Sequence, residues 1–326
     1  MPSWVNKNFF RLFFATDVHG SDVTFSKFLN AASFYKADTL VLGGDVTGKL
    51  IVPILEAGDG TFKSYFLGQE ITISGEAQME DMLGRICNLG YYPYRSVKSQ
   101  WSEIDADPFK YEALFKELAL KRLDAWIALT QRRLKDSGIS VFVTGGNDDA
   151  HYVEEYLKRQ PFIVDPEGRV VEIGGLFKMV SIGYSNHTPW KTPRECEESE
   201  LEKMIDDLAA QVPDMNTCIF NIHVPPINST IDSAPMVDGS VSPPKYILRD
   251  GMPQMIGAGS SGVKSAIMKH QPMLGLHGHI HESRGAVKLG RTLCINPGSE
   301  YGEGVLRGVM VNLDAKGVKS YQLTSG

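Results

Sequence analysis

The chain is predicted to be an α/β protein, and two features of its 326 residues carry that prediction. The first is a recurring short apolar run that ends on an Asp, Asn or His or on a turn residue. The second is the helical periodicity of the stretches between those runs. The runs are FFRLFFATDVHG (9–20), TLVLGGDVTG (39–48), SVFVTGGNDD (140–149), TCIFNIHVPP (217–226) and PMLGLHGHIH (272–281). Each apolar part is only a few residues long, β-branched or aromatic, and apolar on both faces, as buried strands are. Between them, Phe25, Phe28, Leu29 and Ala32 share one helical face, and Leu201, Ile205 and Leu208 share another behind the acidic start ECEESE. Strands alternating with helices make an α/β sheet, and such sheets gather ligands at the carboxyl ends of their strands.

Two segments break the rhythm. About a hundred residues separate Asp45 from Asn147, where a strand-to-strand crossover needs roughly 30. The excess holds a hairpin (61–74), a helix (76–90), an aromatic turn YYPYRS (91–96) and a long amphipathic helix through Tyr111, Leu114, Leu118, Leu123 and Ile127. It is predicted to be a cap inserted at 58–138 into a single domain spanning 1–326. The second segment, 224–260, is rich in Pro, Gly and Ser and reads as a long loop. After Arg291, three closing strands are expected, with the turn DAKG between the last two.

Composition narrows the function. The chain is 42% hydrophobic and 22% charged, with a net charge of −6. It has no basic run suited to nucleic acid or an anionic membrane. No stretch approaches the ~18 apolar residues of a membrane span. The amino-terminal MPSWVNKNFFRLFF lacks a signal peptide's layout, since Arg11 breaks its apolar run. Cys87, Cys196, Cys218 and Cys294 are scattered, with no CxxC pair. Free thiols in a reducing cytoplasm are expected.

The strand ends offer, in chain order, Asp17-x-His19, Gly44-Asp45, Gly146-Asn147-Asp148, His223 and Gly278-His279-x-His281. Each alone is weak. Asp17 alone would more often cap a helix, and His223 alone would more often be a core histidine. Together and in this order they resemble the calcineurin-like metallophosphoesterase superfamily, whose motifs run D-x-H, G-D, G-N-H, H and G-H-x-H. The resemblance spans residues 17–281. It implies a β-sandwich flanked by helices (αββα) and a dinuclear centre, with Asp17, His19 and His281 on one metal, Asn147, His223 and His279 on the other, and Asp45 bridging. Imidazole and oxygen donors without thiolate suit manganese, the first choice here, or iron, zinc or cobalt. Residues two apart on extended backbone point the same way, so His279 and His281 can serve neighbouring ions. His277 has no ligand role in the motif and is assigned to support or packing.

What the resemblance implies chemically is hydrolysis of a small phosphate-ester substrate, a diester ahead of a monoester, by a hydroxide bridging two divalent ions. One position departs from the family. Asp148 stands where a histidine usually assists the leaving group. An aspartate's pKa is ~3.9 and falls further near dications, so Asp148 is a poor proton donor. On the loop 184–195, Asn186, His187 and Arg194 are candidates for substrate contact, with a solvated loop as the equal alternative. His151, His187, Asp149 and Asp22 have no motif behind them and keep a surface reading. GAGSSG (257–262) has the spelling of a dinucleotide fingerprint but neither the preceding buried strand nor the following acidic residue. It reads as a loop leading into a helix, with anion binding at its N–H groups as the minor alternative. Two rivals remain: a non-catalytic metal-binding scaffold of the same fold, and a nuclease-type member.

Overall fold

The computed structural model describes residues 9–241 and 244–326. The stretch 1–8, part of the segment read against a leader, lies outside the described residues. Strands β1 (Phe10–Ala15), β2 (Thr39–Gly43) and β7 (Ser140–Thr144) form where the first three apolar runs are, and pair in parallel. Between β2 and β7 come β3 (Ile51–Glu56), β4 (Phe62–Phe66), β5 (Gln69–Ile73) and β6 (Tyr92–Ser96). Then follow β8 (Val170–Ile173), β9 (Phe177–Ile182) and β10 (Cys218–Ile222). The expected loop 224–260 carries short ribbon strands: β11 (Ser233–Pro235), β12 (Val237–Asp238), β13 (Lys245–Tyr246), β14 (Leu248–Arg249), β15 (Met252–Pro253) and β16 (Met255–Gly257). The chain closes with β17 (Leu274–Leu276), β18 (Gly285–Leu289), β19 (Thr292–Asn296), β20 (Arg307–Asp314) and β21 (Gly317–Ser325).

Two sheets face each other. One runs β21-β20-β1-β2-β7 and the other β18-β19-β17-β10-β9-β8. Their inner faces meet through Leu12, Phe14, Val41 and Val311 on one side and Phe177, Met179, Ile219 and Leu276 on the other. Helices α1 (Asp22–Phe34), α4 (Pro108–Leu134) and α5 (His151–Leu157) cover the outer face of the first sheet. Helices α6 (Glu198–Ala209) and α7 (Ser261–His270) cover the second. This is the αββα sandwich, and it explains why the central strands are apolar on both faces.

The segment between β2 and β7 differs from the expectation in four ways. Its own sheet, ordered β5-β4-β3-β6, starts at Ile51, so an insertion counted from 58 would cut β3 away from its partners. The stretch 91–96 is a strand, not a turn: Ile51 to Leu55 pair in parallel with Tyr92 to Ser96. Pro93 is accommodated because β6 is an edge strand, where a missing N–H breaks no ladder. The hairpin is as expected, with Leu67 and Gly68 both at positive φ (52° and 80°) in its two-residue turn. Alongside α2 (Glu76–Asn88) there is an unforeseen short helix, α3 (Lys98–Asp105). Finally, α4 is no detachable cap element. Trp126 stacks on Phe25 of α1 with ring centres 4.0 Å apart, and Leu123 joins the same core.

Candidate metal centre

The seven candidate ligands lie on loops that leave the carboxyl ends of parallel strands. Backbone hydrogen bonds continue the sheet ladder into those loops. Asp17 N–H donates to Gly44 C=O at 3.0 Å, His19 N–H to Asp45 C=O at 2.9 Å, and Gly278 N–H to His223 C=O at 2.8 Å. The close approach needs glycine at Gly44, where a Cβ would sit 2.2 Å from the His223 ring. It needs glycine again at Gly146, where a Cβ would sit 2.1 Å from Asp45 Oδ1. Asp17, His19, Asp45 and His279 all hold positive φ (52°, 39°, 50° and 66°). Such backbone costs free energy and persists where surrounding contacts over-determine it, which is a mark of functional sites.

Two donor clusters result. Asp17, His19, Asp45 and His281 place ligand atoms within 4.8 Å of one another, and so do Asp45, His223 and His279. Asp45 belongs to both. Its Oδ2 lies 3.6 Å from His19 Nε2 and 3.4 Å from His223 Nε2. Asn147 sits with the second cluster, its Oδ1 2.7 Å from His279 Nδ1 and 3.1 Å from His223 Nε2. Its amide donates to Thr192 Oγ1 at 2.9 Å, which points the oxygen inward. The structure thus brings all seven together. His277 stands apart, buried, with its Nδ1 on Ile222 C=O at 2.8 Å.

The donor set fits divalent ions on three counts. The Nε2 atoms of His19 and His281 face each other at 3.1 Å, where two lone pairs repel unless a proton or cation lies between them. His223 Nδ1 bonds Gly43 C=O at 2.9 Å, which fixes that N–H outward and leaves Nε2 for the cluster. The electrostatics ask for positive charge. Burial pushes the Asp17 carboxyl up, but His223 and His281 outweigh it and hold it down at about 2. Burial pushes the His223 imidazole down, yet Asp45 and Asp17 raise it to about 9. A dication would neutralise both carboxylates and leave the imidazole neutral, as coordination requires. His279, pushed down to about 4 by burial and by the His223 charge, is already neutral at pH 7.

Three residues around the cluster are missed by motif reading. Asp149 is wholly buried, contrary to the surface reading. Its carboxylate accepts from the N–H groups of Val46 (2.9 Å), Thr47 (2.8 Å) and Gly146 (2.7 Å), clamping two ligand loops together. Lys49 Nζ pairs with Asp148 Oδ2 at 2.9 Å. The Tyr301 ring lies 4.6 Å from that of His19 and borders, with His281, an open cavity of about 460 Å³. Of these, only Asp149 enters the sequence reading at all, because nothing about a single Lys or Tyr marks it in sequence.

The substrate candidates separate. Arg194 is fully buried and is not a substrate contact. Its guanidinium pairs with Glu167 at 2.7 Å and Glu154 at 3.6 Å, lies over the Tyr184 ring at 4.6 Å, and donates to Gly146 C=O at 3.3 Å. Its backbone N–H donates to Asn147 C=O at 3.1 Å. It is therefore a strut behind the Gly146–Asn147 loop. Asn186 is half-buried, with its Oδ1 unpartnered. His187 is exposed and faces Glu195 and Glu197. His151 is exposed, but Asp22 is half-buried and accepts from Trp126 Nε1 at 2.6 Å. Helix α1 is capped by Ser21, not by Asp17. In the 257–262 loop, Ser260 caps α7, and the Gly262 N–H donates to Glu198 Oε2 at 2.8 Å, so the anion there is the chain's own carboxylate.

Asp148 is half-buried at the cluster's edge. Burial and the Asp45 charge raise its carboxyl to about 6, against the pull of Lys49.

No protein-family model matches the chain. An uncharacterized protein of Methanocaldococcus jannaschii is 27% identical over 161 residues, 49% of this chain and 64% of that relative, so the match spans less than two thirds of the relative's length. One solved structure overlays at a TM-score of 0.54, with 17% identity, covering 97% of this chain and 98% of its own, which shows a shared fold. TT1561 of Thermus thermophilus overlays at 0.48 with 15% identity and 98% of both chains covered. A dimetal phosphatase from Danio rerio overlays at 0.40 with 9% identity, covering 97% and 98%. The last two overlays are too loose to bear on function. Among the described residues, no helix is long and apolar enough to cross a membrane.

Proposed function

We propose that this chain is a metallophosphoesterase of the calcineurin-like superfamily, holding two divalent ions and hydrolysing phosphate esters, phosphodiesters foremost. The observation that carries the reading is the shared carboxylate: Asp45 belongs to both donor clusters, and five strand-end loops converge on it. Asp17, His19 and His281 would hold one ion; Asn147, His223 and His279 would hold the other, with manganese the first candidate. Bound there, the ions would supply Lewis acidity toward phosphoryl oxygens and activation of water. The chain's own residues fix the frame. The Gly43 carbonyl sets the His223 tautomer, Thr192 orients the Asn147 amide, and Asp149 ties the Asp45 loop to the Asn147 loop. His281, with 27% side-chain exposure, marks the side from which an ester enters, beside Tyr301.

The test is a panel of bis(4-nitrophenyl) phosphate, 4-nitrophenyl phosphate and cyclic nucleotides, assayed with Mn, Fe and Zn. Metal-dependent release of nitrophenol that Asp45→Ala abolishes supports the reading. A protein carrying two ions per chain yet inert on every ester would instead be a metal-binding scaffold.

A further inference from the structure

The loop that supplies Asp45 ends four residues later in Lys49, which the ligand set leaves unassigned. Its ammonium lies 2.9 Å from Asp148 Oδ2. Asp148 is itself tied to the centre: its backbone N–H donates to Asp45 Oδ1 at 3.0 Å, and its Oδ2 is 3.9 Å from His19 Nδ1. That Nδ1 is buried and has no hydrogen-bond partner. The pair therefore stands over the edge of the first donor cluster. The Asp148 side chain is 23% exposed and that of Lys49 is 42% exposed, open to an incoming ligand. An ordinary surface ion pair would contribute little and need no fixed position. Here the backbone that carries the carboxylate is anchored to the residue that both clusters share.

Hydrolysis of a phosphodiester forms a bond from water oxygen to phosphorus and breaks the phosphorus–oxygen bond to the departing alcohol. The electron pair of that bond leaves on the alcohol oxygen, which ends as a hydroxyl with a proton drawn from solvent, while the attacking water gives up one proton to solvent. Negative charge grows on that oxygen in the transition state, and a preorganised donor aimed at it lowers the barrier. An ammonium has three N–H donors. One goes to Asp148, which leaves two to offer while the proton count on Lys49 stays constant. We propose, resting on the phosphoesterase reading above, that Lys49 is a catalytic residue whose ammonium steadies the departing oxygen. Asp148 is its positioning residue, a Lys–Asp pair standing where a lone histidine was expected.

The experiment uses the full chain loaded with Mn²⁺ and a graded series of methyl aryl phosphates, from 4-nitrophenyl to phenyl leaving groups. Lys49→Met is expected to lose ~10² in kcat on the phenyl ester and only ~3-fold on the nitrophenyl ester, the range that removal of one transition-state donor covers. Lys49→Arg should recover most of the loss. Asp148→Asn should steepen the leaving-group dependence in the same direction, and the Lys49→Met/Asp148→Asn double variant should be no worse than Lys49→Met. Two ions per chain, counted by elemental analysis, should persist in Lys49→Met. An equal loss on every ester would place the charge on the non-bridging oxygens and overturn the assignment, as would loss of a metal ion. An Asp148→Asn variant with unaltered leaving-group dependence would overturn the positioning role. Wild-type protein that hydrolyses none of the series overturns the phosphoesterase reading itself, and this inference with it.

Discussion

Removing the Arg194 guanidinium tests whether the strut behind the Asn147 loop is held electrostatically. In Arg194→Met, Glu167 loses its 2.7 Å partner while 6% exposed, and Gly146 C=O loses a donor. Burial already raises the Glu167 carboxyl to about 7, with Arg194 pulling the other way. The sign follows from where the protons sit. A carboxyl whose folded pKa exceeds its unfolded value of ~4.3 binds protons more tightly in the folded state. It therefore withdraws stability as pH climbs from ~4.3 to about 7. Without Arg194 the folded pKa rises further, so the extra penalty of the variant appears only above pH 7. At pH 8.5 Glu167 can escape by taking up a proton, which limits that penalty to about 1.5 × 1.36, or ~2 kcal/mol. Loss of the charged donor on the Gly146 carbonyl, which keeps the Asp149 N–H at 3.3 Å, adds roughly 1–3 kcal/mol at any pH. Urea denaturation in EDTA, followed by tryptophan fluorescence, should therefore show a loss of about 3–5 kcal/mol at pH 8.5 and about 1–3 kcal/mol at pH 6. Arg194→Met/Glu167→Gln should recover the pH-dependent part. A loss of equal size at both pH values, or one not reduced by Glu167→Gln, would refute the reasoning.

The remaining predictions concern the centre and the inserted segment. Reconstituted protein should carry two divalent ions per chain; Asp45→Ala should lose both and His281→Ala mainly one, as counted by elemental analysis. Gly146→Ala, whose Cβ would lie 2.1 Å from Asp45 Oδ1, should abolish metal-dependent hydrolysis while leaving the circular dichroism of the fold in place. Ions at 100 times their dissociation constant should each raise unfolding stability by about 2.7 kcal/mol, read as a shift in the urea midpoint on adding EDTA. Excision of 58–138 behind a short linker should give insoluble protein, because the cut removes Leu123 and Trp126 from the core under the first sheet. A soluble, metal-binding remnant would show that the core tolerates the loss.

How legible each part was depends on how its residues are recognised. Strand ends β1, β2, β7, β10 and β17 were readable because a strand buried on both faces leaves a mostly apolar run, broken internally only by Arg11 in β1 and Asn221 in β10, and a donor residue follows within three positions. Strand β6 was not readable: YPYRS holds a proline and two tyrosines, and its strand character comes from pairing with β3, some 40 residues earlier. Arg194 was misplaced for a related reason. In TPRECEE it looks like one charge among several. What buries it is Glu167 and Tyr184, from either side of β9, and no local pattern announces them. Asp149, beside Asp148 in a run of two aspartates, gave no sign of which side chain would turn inward to the loop N–H groups and which outward to Lys49.

The two adjacent aspartates also show how the site divides its labour. Asp149 accepts only from backbone and hydroxyl groups of the ligand loops, so its charge stays within the frame. Asp148 reaches the opposite way, and its partner is an exposed ammonium at the rim. Just before them, Asn147 turns its oxygen to His223 and His279. Three consecutive side chains thus serve frame, ion and rim. An extended strand could not do this, because alternate residues would share a face. The loop manages it by leaving the ladder after Thr144, where two glycines let Asp45 and Arg194 approach from opposite sides. A Cβ at Gly146 would meet Asp45, and one at Gly145 would lie 2.7 Å from Arg194 Nη1. The same close packing holds Asp17, His19, Asp45 and His279 in left-handed backbone, at a cost of order 1–3 kcal/mol each. That strain is tolerated only because the sandwich beneath is complete, which ties the ligand geometry to the integrity of both sheets.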